Sequence, residues 1–270
     1  MQFILGILIA VVIACTAYGL QSLSLDGMLA AILVGSIIFG LGGWQWAILL
    51  LVFFISSSAL TKAFKHKKQE IERDYSKGSR RDAGQVLGNG SVAAILVSVM
   101  ALFPENTWVW PAFAAALAGV NADTWATELG ILNPSRPRLI TDLGTAVEKG
   151  TSGGVSLVGT NAALIGAAFV GFPAAILNPM GTDWIFFPII TLSGFLGSVF
   201  DSLLGATFQA MYYCPVDQKL TEKHPIHSCG SPTAHVRGWS WLNNDWVNFV
   251  SSAMSGMLAI PLTMILTKFQ

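Results

Sequence analysis

Apolar residues along this chain come in long unbroken runs, and polar residues are confined to the intervals between them. Eight runs stand out, at 2–20, 28–42, 44–61, 89–103, 108–130, 153–175, 184–211 and 246–267. A bilayer core about 30 Å thick needs roughly 20 apolar residues per helix, and these runs are of that order. The second and third meet at Gly42-Gly43, which predicts a tight connection. The pattern predicts an all-α fold, a polytopic membrane helix bundle of about eight transmembrane helices. It forms one membrane domain over 1–270: generic N-terminal helices over 1–61, a basic loop over 62–88, and a core over 89–267. The opening residues MQFILGILIAVVIA lack a basic n-region and a cleavage site, so they are read as the first span and not as a signal peptide.

Composition excludes the soluble alternative. Hydrophobic residues make up 53% of the chain and charged residues 11%, against about 25% charged in ordinary soluble domains. The formal net charge is zero, and nothing suggests a nucleic-acid partner. The placement of charge is more informative. Lys62, Lys65, Lys67, Lys68, Arg73, Lys77, Arg80 and Arg81 fall between the third and fourth spans. Arg136, Arg138 and Lys149 fall between the fifth and sixth, and Lys219, Lys223 and Arg237 between the seventh and eighth. With eight spans these three loops share one side, and the excess of Lys and Arg makes that side cytoplasmic, with both termini outside. Eight tryptophans near the proposed helix ends (Trp44, Trp46, Trp108, Trp110, Trp184, Trp239, Trp241 and Trp246) read as interfacial anchors. Cys214 and Cys229 share a loop with His224, His227 and His235, but the spacing matches no familiar zinc pattern. A zinc site is therefore not expected, and Cys214→Ser is expected to leave activity intact.

The exceptions to the apolar pattern carry the chemistry. Asp123, Glu128 and Asp201 are acids inside the spans, where an insertion cost of about 2.5–3.5 kcal/mol demands a polar partner or cavity. Asp123 and Glu128 are five residues apart, about 140° around a helix beyond one full turn, so they do not form one tight pair. GVNADTWATELG (119–130) echoes GSVFDSLLGATF (197–208), and LGNGSVAAILVS (87–98) echoes VGTNAALIGAAF (158–169). Together these suggest a parallel internal repeat that aligns Asp123 with Asp201. EKGTSGGVS (148–156) is a Gly-rich turn entering a helix, a shape that points backbone N–H groups at an anion. Lys149, Arg136 and Arg138 add positive charge beside it. Arg80, Arg81 and Gln85 precede Asn89, which is placed at the start of the fourth span as its N-cap. Asn243, Asn244, Asp245 and Asn248 open the last span, and their oxygens suit Mg²⁺. All of these groups gather on the cytoplasmic side. Basic loops, acids near the interface and a lipid-facing bundle suit an enzyme acting on a phosphate head with an apolar tail, since phosphoryl transfer needs metal, positive charge and positioning.

QVLGNG (85–90), NADTWATELG (121–130), PRLIT (137–141), KGTSGGVSLVG (149–159) and NNDWVN (243–248), in that order, resemble the signature blocks of the integral-membrane family that contains plant phytyl-phosphate kinase and animal transmembrane protein 19. The resemblance implies a kinase that converts an isoprenyl, phytyl-type monophosphate to the diphosphate, with CTP or another nucleoside triphosphate as donor and Mg²⁺ as cofactor. Its partners would be the lipid phosphate, the nucleotide and the bilayer. By motif, Asn89, Asp123, Glu128, Thr151, Gly153, Gly154, Asn244 and Asn248 belong to the family pattern. Asp123 and Glu128 are the candidate catalytic acids, and Asp123, Asp201 and Asp245 the candidate metal ligands. Asn89, Arg81, Arg138, Lys149, Gly150, Thr151, Gly153, Gly154, Asn244 and Asn248 are the candidate binders of nucleotide and phosphate. Two positions depart from the pattern: Lys149 stands where a Pro is expected, and NNDW stands where a DNNA-like string is expected. They leave the last helix's metal ligand open between Asp245 and Asn244. The alternative from another class is an ion- or proton-coupled transporter or flippase of a lipid phosphate or small anion, for which buried acids and repeats are equally suited.

Overall fold

The computed structural model describes residues 1–71 and 80–266, with backbone alone over 65–71. Lys65, Lys67, Lys68, Arg73 and Lys77, part of the basic pattern, lie outside the described side chains. Eight long helices are present: α1 (Gln2–Gly19), α2 (Leu25–Ile37, continued by a π-helical turn Ile38–Gly42), α3 (Trp44–Ile71), α4 (Ala83–Leu102), α5 (Val109–Gly130), α6 (Leu157–Ile176), α7 (Phe186–Thr207) and α8 (Asn244–Leu266). Gly43, at φ +85°, makes the sharp turn from the π-helical segment into α3, a conformation in which glycine lacks the Cβ penalty.

Seven of these helices are long and apolar enough to cross a membrane; α5 is not among them. The reason is its position. It packs against α3, α4, α6, α7 and α8, and every residue from Val109 to Ala122 is buried. A helix wrapped by other helices meets little lipid and does not need a lipid-grade surface, so α5 carries Asn121, Asp123 and Glu128 within the bundle. Asn121 is held on two sides: its Oδ1 accepts from Ser56 Oγ and Ser57 Oγ of α3, each at 3.0 Å, and its Nδ2 donates to Gly166 O of α6 at 2.8 Å.

The packing around α5 uses small residues, as membrane helices do where backbones approach closely. A Cβ on Gly194 of α7 would stand 2.6 Å from Ala118 Cβ and 2.9 Å from Ala118 C of α5. Gly119 of α5 and Gly197 of α7 both accommodate Ser255 of α8. Gly194→Val should therefore cost about 1–3 kcal/mol, measured as a lower melting temperature of the detergent-solubilised protein.

Several boundaries differ from the sequence pattern for local reasons. The fourth helix starts at Ala83, not at 89, because Asp82 and Gln85 form a capping box; Asn89 is thus inside the helix and is not its cap. Asn243 caps α8 by accepting from the N–H groups of Asp245 and Trp246, each at 3.1 Å. Ser156 caps α6, so the Gly-rich turn precedes that helix as a loop. Trp46 and Trp110 are not interfacial. They are buried with Phe113, and Trp110 Nε1 donates to Ala174 O at 3.1 Å. Trp44, Trp184, Trp239, Trp241 and Trp246 are exposed, as anchors require.

Two loops carry short antiparallel sheets that the apolar pattern does not predict. Between α5 and α6 lie β1 (Arg138–Leu139), β2 (Asp142–Ala146) and β3 (Gly154–Val155), in the order β2-β1-β3. Between α7 and α8 lie β4 (Met211–Cys214), β5 (Lys219–Thr221) and β6 (Ala234–Arg237), in the order β5-β4-β6. The first strand is central in both. The helices leading into these loops, α5 and α7, are each 22 residues long, and α4 and α6 are each 20. These likenesses match the repeat suggested by the sequence echo and set Asp123 and Asp201 on corresponding helices.

Candidate functional site

The polar residues of the bundle gather at the end where the N-termini of α4, α6 and α8 meet the C-termini of α5 and α7. The turn between α1 and α2 is pinned there too. Arg81 N donates to Ser22 O at 3.0 Å, and Arg81 O accepts from Ser24 N at 3.1 Å. Three helix N-termini on one side favour negative charge there.

Asp123 and Asp201 form one cluster. Asp201 is buried on α7, with Ser251 of α8 hydrogen-bonded to its carboxyl and Asp123 as its strongest charged neighbour; Glu222 of the following loop acts more weakly. The Asp201 Oδ2 atom is buried without a hydrogen-bond partner. Two carboxylates that feel each other's charge inside a bundle repel unless a cation or a proton stands between them. On α8, contacts of Ala112 with Gly256 and of Ala116 with Ser252 fix an antiparallel register with α5. Continued by one turn, that register brings Asn248 level with Val120, and by a second turn Asn244 level with Thr124, at the depth of Asp123.

Asp245 does not join the two acids. It packs against Gly84 and Gly88 of α4, and among the described residues no group of three acids converges tightly enough to hold one ion. The three acids expected to share one ion are thus not brought together; Ser251 is buried and Asn248 half-buried on α8.

Glu128 lies on another side of α5, as the five-residue spacing requires. Its Oε1 accepts from Thr61 Oγ1 of α3 at 2.8 Å, and its charge acts on Arg81. Burial pushes the Arg81 guanidinium down to about 10, and Glu128 opposes that shift; Arg81 is still charged at neutral pH. Its guanidinium carbon stands 5.4 Å from the Phe53 ring centre and 5.7 Å from that of Phe54, a cation–π arrangement. Arg81, Gln85 and Asn89 form the polar end of a cavity of about 70 Å³, partly open to its surroundings, between α1, α2, α3 and α4. The rest of its lining is apolar, including Ala14, Val34, Leu51 and Phe53. The Asn89 Oδ1 atom is buried without a hydrogen-bond partner.

The Gly-rich turn sits on α7. A Cβ at Gly153 (φ +82°) would stand 2.5 Å from Ala206 Cβ, and one at Gly205 would stand 3.0 Å from Gly153 N. Packing alone therefore accounts for glycine at 153. Gly150 has φ +89°, Thr151 O accepts from Gly154 N at 3.0 Å, and Gly154 pairs with Leu139. Gly205 is four residues beyond Asp201, which places the turn about 6 Å further along the same helix face. Two predicted anion-binding cations are occupied elsewhere. Lys149 Nζ donates to Ile131 O at 2.9 Å and Asn133 O at 2.6 Å, closing the C-terminal end of α5. Arg138 donates to Leu143 O at 2.6 Å and Gly144 O at 3.1 Å inside the β1–β2 hairpin. In the same hairpin, the Thr145 hydroxyl and then the Gly144 N–H hold Asp142 below the usual carboxylate range. Lys149→Met should cost about 1–2 kcal/mol of stability and leave turnover per folded molecule unchanged. A thermal melt paired with an activity assay checks this.

Sequence reasoning missed Thr61, Ser251 and Glu222. Ser251 had a signal, three residues beyond Asn248 on one helix face; Thr61 and Glu222 had none.

A shell of apolar helices around one polar central helix, with acids and a partly open apolar cavity at one end, defines a polytopic integral membrane protein with a polar site at one mouth of its bundle. The chain belongs to the integral membrane protein DUF92 family, whose pattern matches residues 8–256. It is similar to Protein PGR of Arabidopsis thaliana, with 34% identity over 95% of this chain and 94% of that protein. A membrane protein of Methanocaldococcus jannaschii is 32% identical over 96% of this chain and 93% of its own length. Protein VTE6, chloroplastic, of Arabidopsis thaliana is 23% identical over 88% of this chain and 64% of that protein. No solved structure matches the chain.

Proposed function

We propose that this protein is a membrane phosphotransferase that converts an isoprenyl, phytyl-type monophosphate to its diphosphate, using CTP or another nucleoside triphosphate and Mg²⁺. The observation that carries the reading is the buried Asp201 Oδ2, without a hydrogen-bond partner, on a carboxyl that feels the charge of Asp123. Mg²⁺ is usually held by one or two carboxylates and completes its shell with water and substrate phosphates, so this pair fits it. When bound, the ion neutralises the phosphate charge that builds up during transfer. Asn248 and the Gly-rich turn lie where the donor's phosphates would reach the ion. The cavity between α1 and α4 has room for only a short part of an apolar chain, and Arg81 and Asn89 at its polar end suit the phosphate that the chain carries. A phosphate acceptor is largely ionised near pH 7. One of its oxygens attacks the γ-phosphorus, the bond to the bridging oxygen breaks, and the nucleoside diphosphate leaves; no strong base is needed. Glu128, through its charge on Arg81, is a positioning residue. The likeness of the sequence blocks to the family of plant phytyl-phosphate kinase supports the same reaction class, and Protein VTE6, chloroplastic, is a distant relative. On this reading the site faces the cytoplasm and both termini lie outside.

The transporter reading would use the buried hydroxyls of α7 and α8 as a path. Ser255, however, donates to the carbonyl of Ser251 in its own helix, which is a packing role. The test is turnover. Purified protein with geranylgeranyl or phytyl monophosphate, CTP and Mg²⁺ should yield the diphosphate. Folded protein that forms none with CTP, ATP, GTP or UTP overturns the reading, and substrate-driven proton flux in liposomes would install the rival.

A further inference from the structure

The loop between α7 and α8 contains a second cluster, remote in character from the acids of the bundle. Cys214, at the end of β4, Asp217 in the following turn, His227 and Cys229 each offer one donor atom, and these atoms all lie within 4.8 Å of one another. No other such group of three or more occurs among the described residues. The two sulfurs are 3.5 Å apart. His227 Nδ1 is 3.4 Å from Cys229 Sγ and 3.1 Å from Asp217 Oδ2.

From these distances the geometry points to a structural zinc site held by Cys214, Asp217, His227 and Cys229. A tetrahedral zinc with Zn–S of about 2.3 Å and Zn–N and Zn–O of about 2.0–2.1 Å has donor edges of about 3.8 Å for S···S, 3.6 Å for S···N and 3.3 Å for N···O. The three measured edges follow that order, each about 0.2–0.3 Å shorter. Thiolates with imidazole favour zinc over the hard cations suited to the bundle's carboxylates. The surroundings fit as well. Ser231 Oγ lies 3.1 Å from Cys214 Sγ and 3.0 Å from Cys229 Sγ, and Asp217 N donates to Cys214 Sγ at 3.4 Å, the kind of support that orients ligands. Cys214 and His227 are buried, while Asp217 and Cys229 reach the surface and leave a route for the ion.

The spacing hid this site. The ligands read C-x₂-D and H-x-C, with a carboxylate in place of a third sulfur or a second imidazole. Of the three loop histidines only His227 takes part; His224 stacks on Tyr212 with ring centres 4.3 Å apart, and His235 meets the same ring edge-on at 5.4 Å. The clip ties the β4–β5 turn to residues 227–229. It thereby braces the loop that carries Glu222, leads to Arg237 (which donates to Gly205 O at 3.1 Å) and ends at the cap of α8.

The test is metal content of the full-length protein, purified in mild detergent from zinc-replete cells without chelator. About one zinc per chain is expected, retained in Cys15→Ser and reduced at least tenfold in a Cys214→Ser/Cys229→Ser double variant. Because that variant could misfold, wild-type protein exchanged into Co²⁺ provides a second readout, with thiolate-to-cobalt charge-transfer absorption and the visible bands of a tetrahedral ion. Wild-type protein in which Cys214 and Cys229 are joined as a disulfide overturns the proposal. So does reduced protein that takes up neither Zn²⁺ nor Co²⁺, or a double variant that keeps its zinc.

Discussion

Asp201→Asn and Asp123→Asn should each lower phosphoryl transfer by two to three orders of magnitude, a loss of about 3–4 kcal/mol of transition-state stabilisation. The double variant should be little worse than either single one, because the two acids act on one ion. A second signature separates this from simple misfolding. In the absence of Mg²⁺, two carboxylates that feel each other's charge strain a site inside the bundle. Replacing either by the neutral, similarly shaped amide should therefore hold or raise the melting temperature of the metal-free protein while abolishing its response to Mg²⁺. Turnover at graded Mg²⁺, read beside a melt with and without the ion, measures both. A variant that melts lower and still responds to Mg²⁺ would remove the pair from the metal site.

Asn121, two residues before Asp123, makes the opposite prediction and marks a limit of the sequence. From the string NADTWATELG both residues look like site groups. In the fold Asn121 is fully engaged between α3 and α6, and the charge of Asp123 acts on Asp201 of α7. The facing helix makes the difference, and helix order around α5 is not written in any local pattern. The spans themselves were legible, because lipid imposes a length and polarity on every helix that touches it. The one helix that escapes that demand, α5, still read as a span because its first half is dense in Ala, Phe and Leu. The divergence of Asp123 and Glu128 was legible too, since it follows from helix periodicity alone. Lys149 and Arg138 were not: a cation beside a Gly-rich turn looks like an anion binder until the carbonyls of Ile131, Asn133, Leu143 and Gly144 are seen to occupy it. The zinc-type cluster was hidden for the same reason, as Asp217 becomes a neighbour of His227 only once β4 and β5 have paired.

Arg81→Met should raise KM for the lipid phosphate by about 30–100-fold, the equivalent of 2–3 kcal/mol for a buried charge-assisted contact, while KM for the nucleotide changes little. The asymmetry follows from placement. Arg81 closes the polar end of the apolar cavity beside Asn89, while the donor's phosphates are assigned to the ion at Asp123 and Asp201. Its backbone is fixed by Ser22 and Ser24 and its guanidinium lies over Phe53 and Phe54, so the donor fork is held ready for an anion. Arg81→Lys should recover only part of the loss, because a point charge lacks the planar fork that meets two phosphate oxygens together. Removing the charge also strips the cation from the neighbourhood of buried Glu128, so Arg81→Met should melt lower than wild type. Adding Glu128→Gln to Arg81→Met should restore part of that stability and none of the affinity. If instead affinity for the lipid phosphate survives Arg81→Met while affinity for CTP collapses, the cavity is not the lipid's, and Arg81 belongs to the nucleotide.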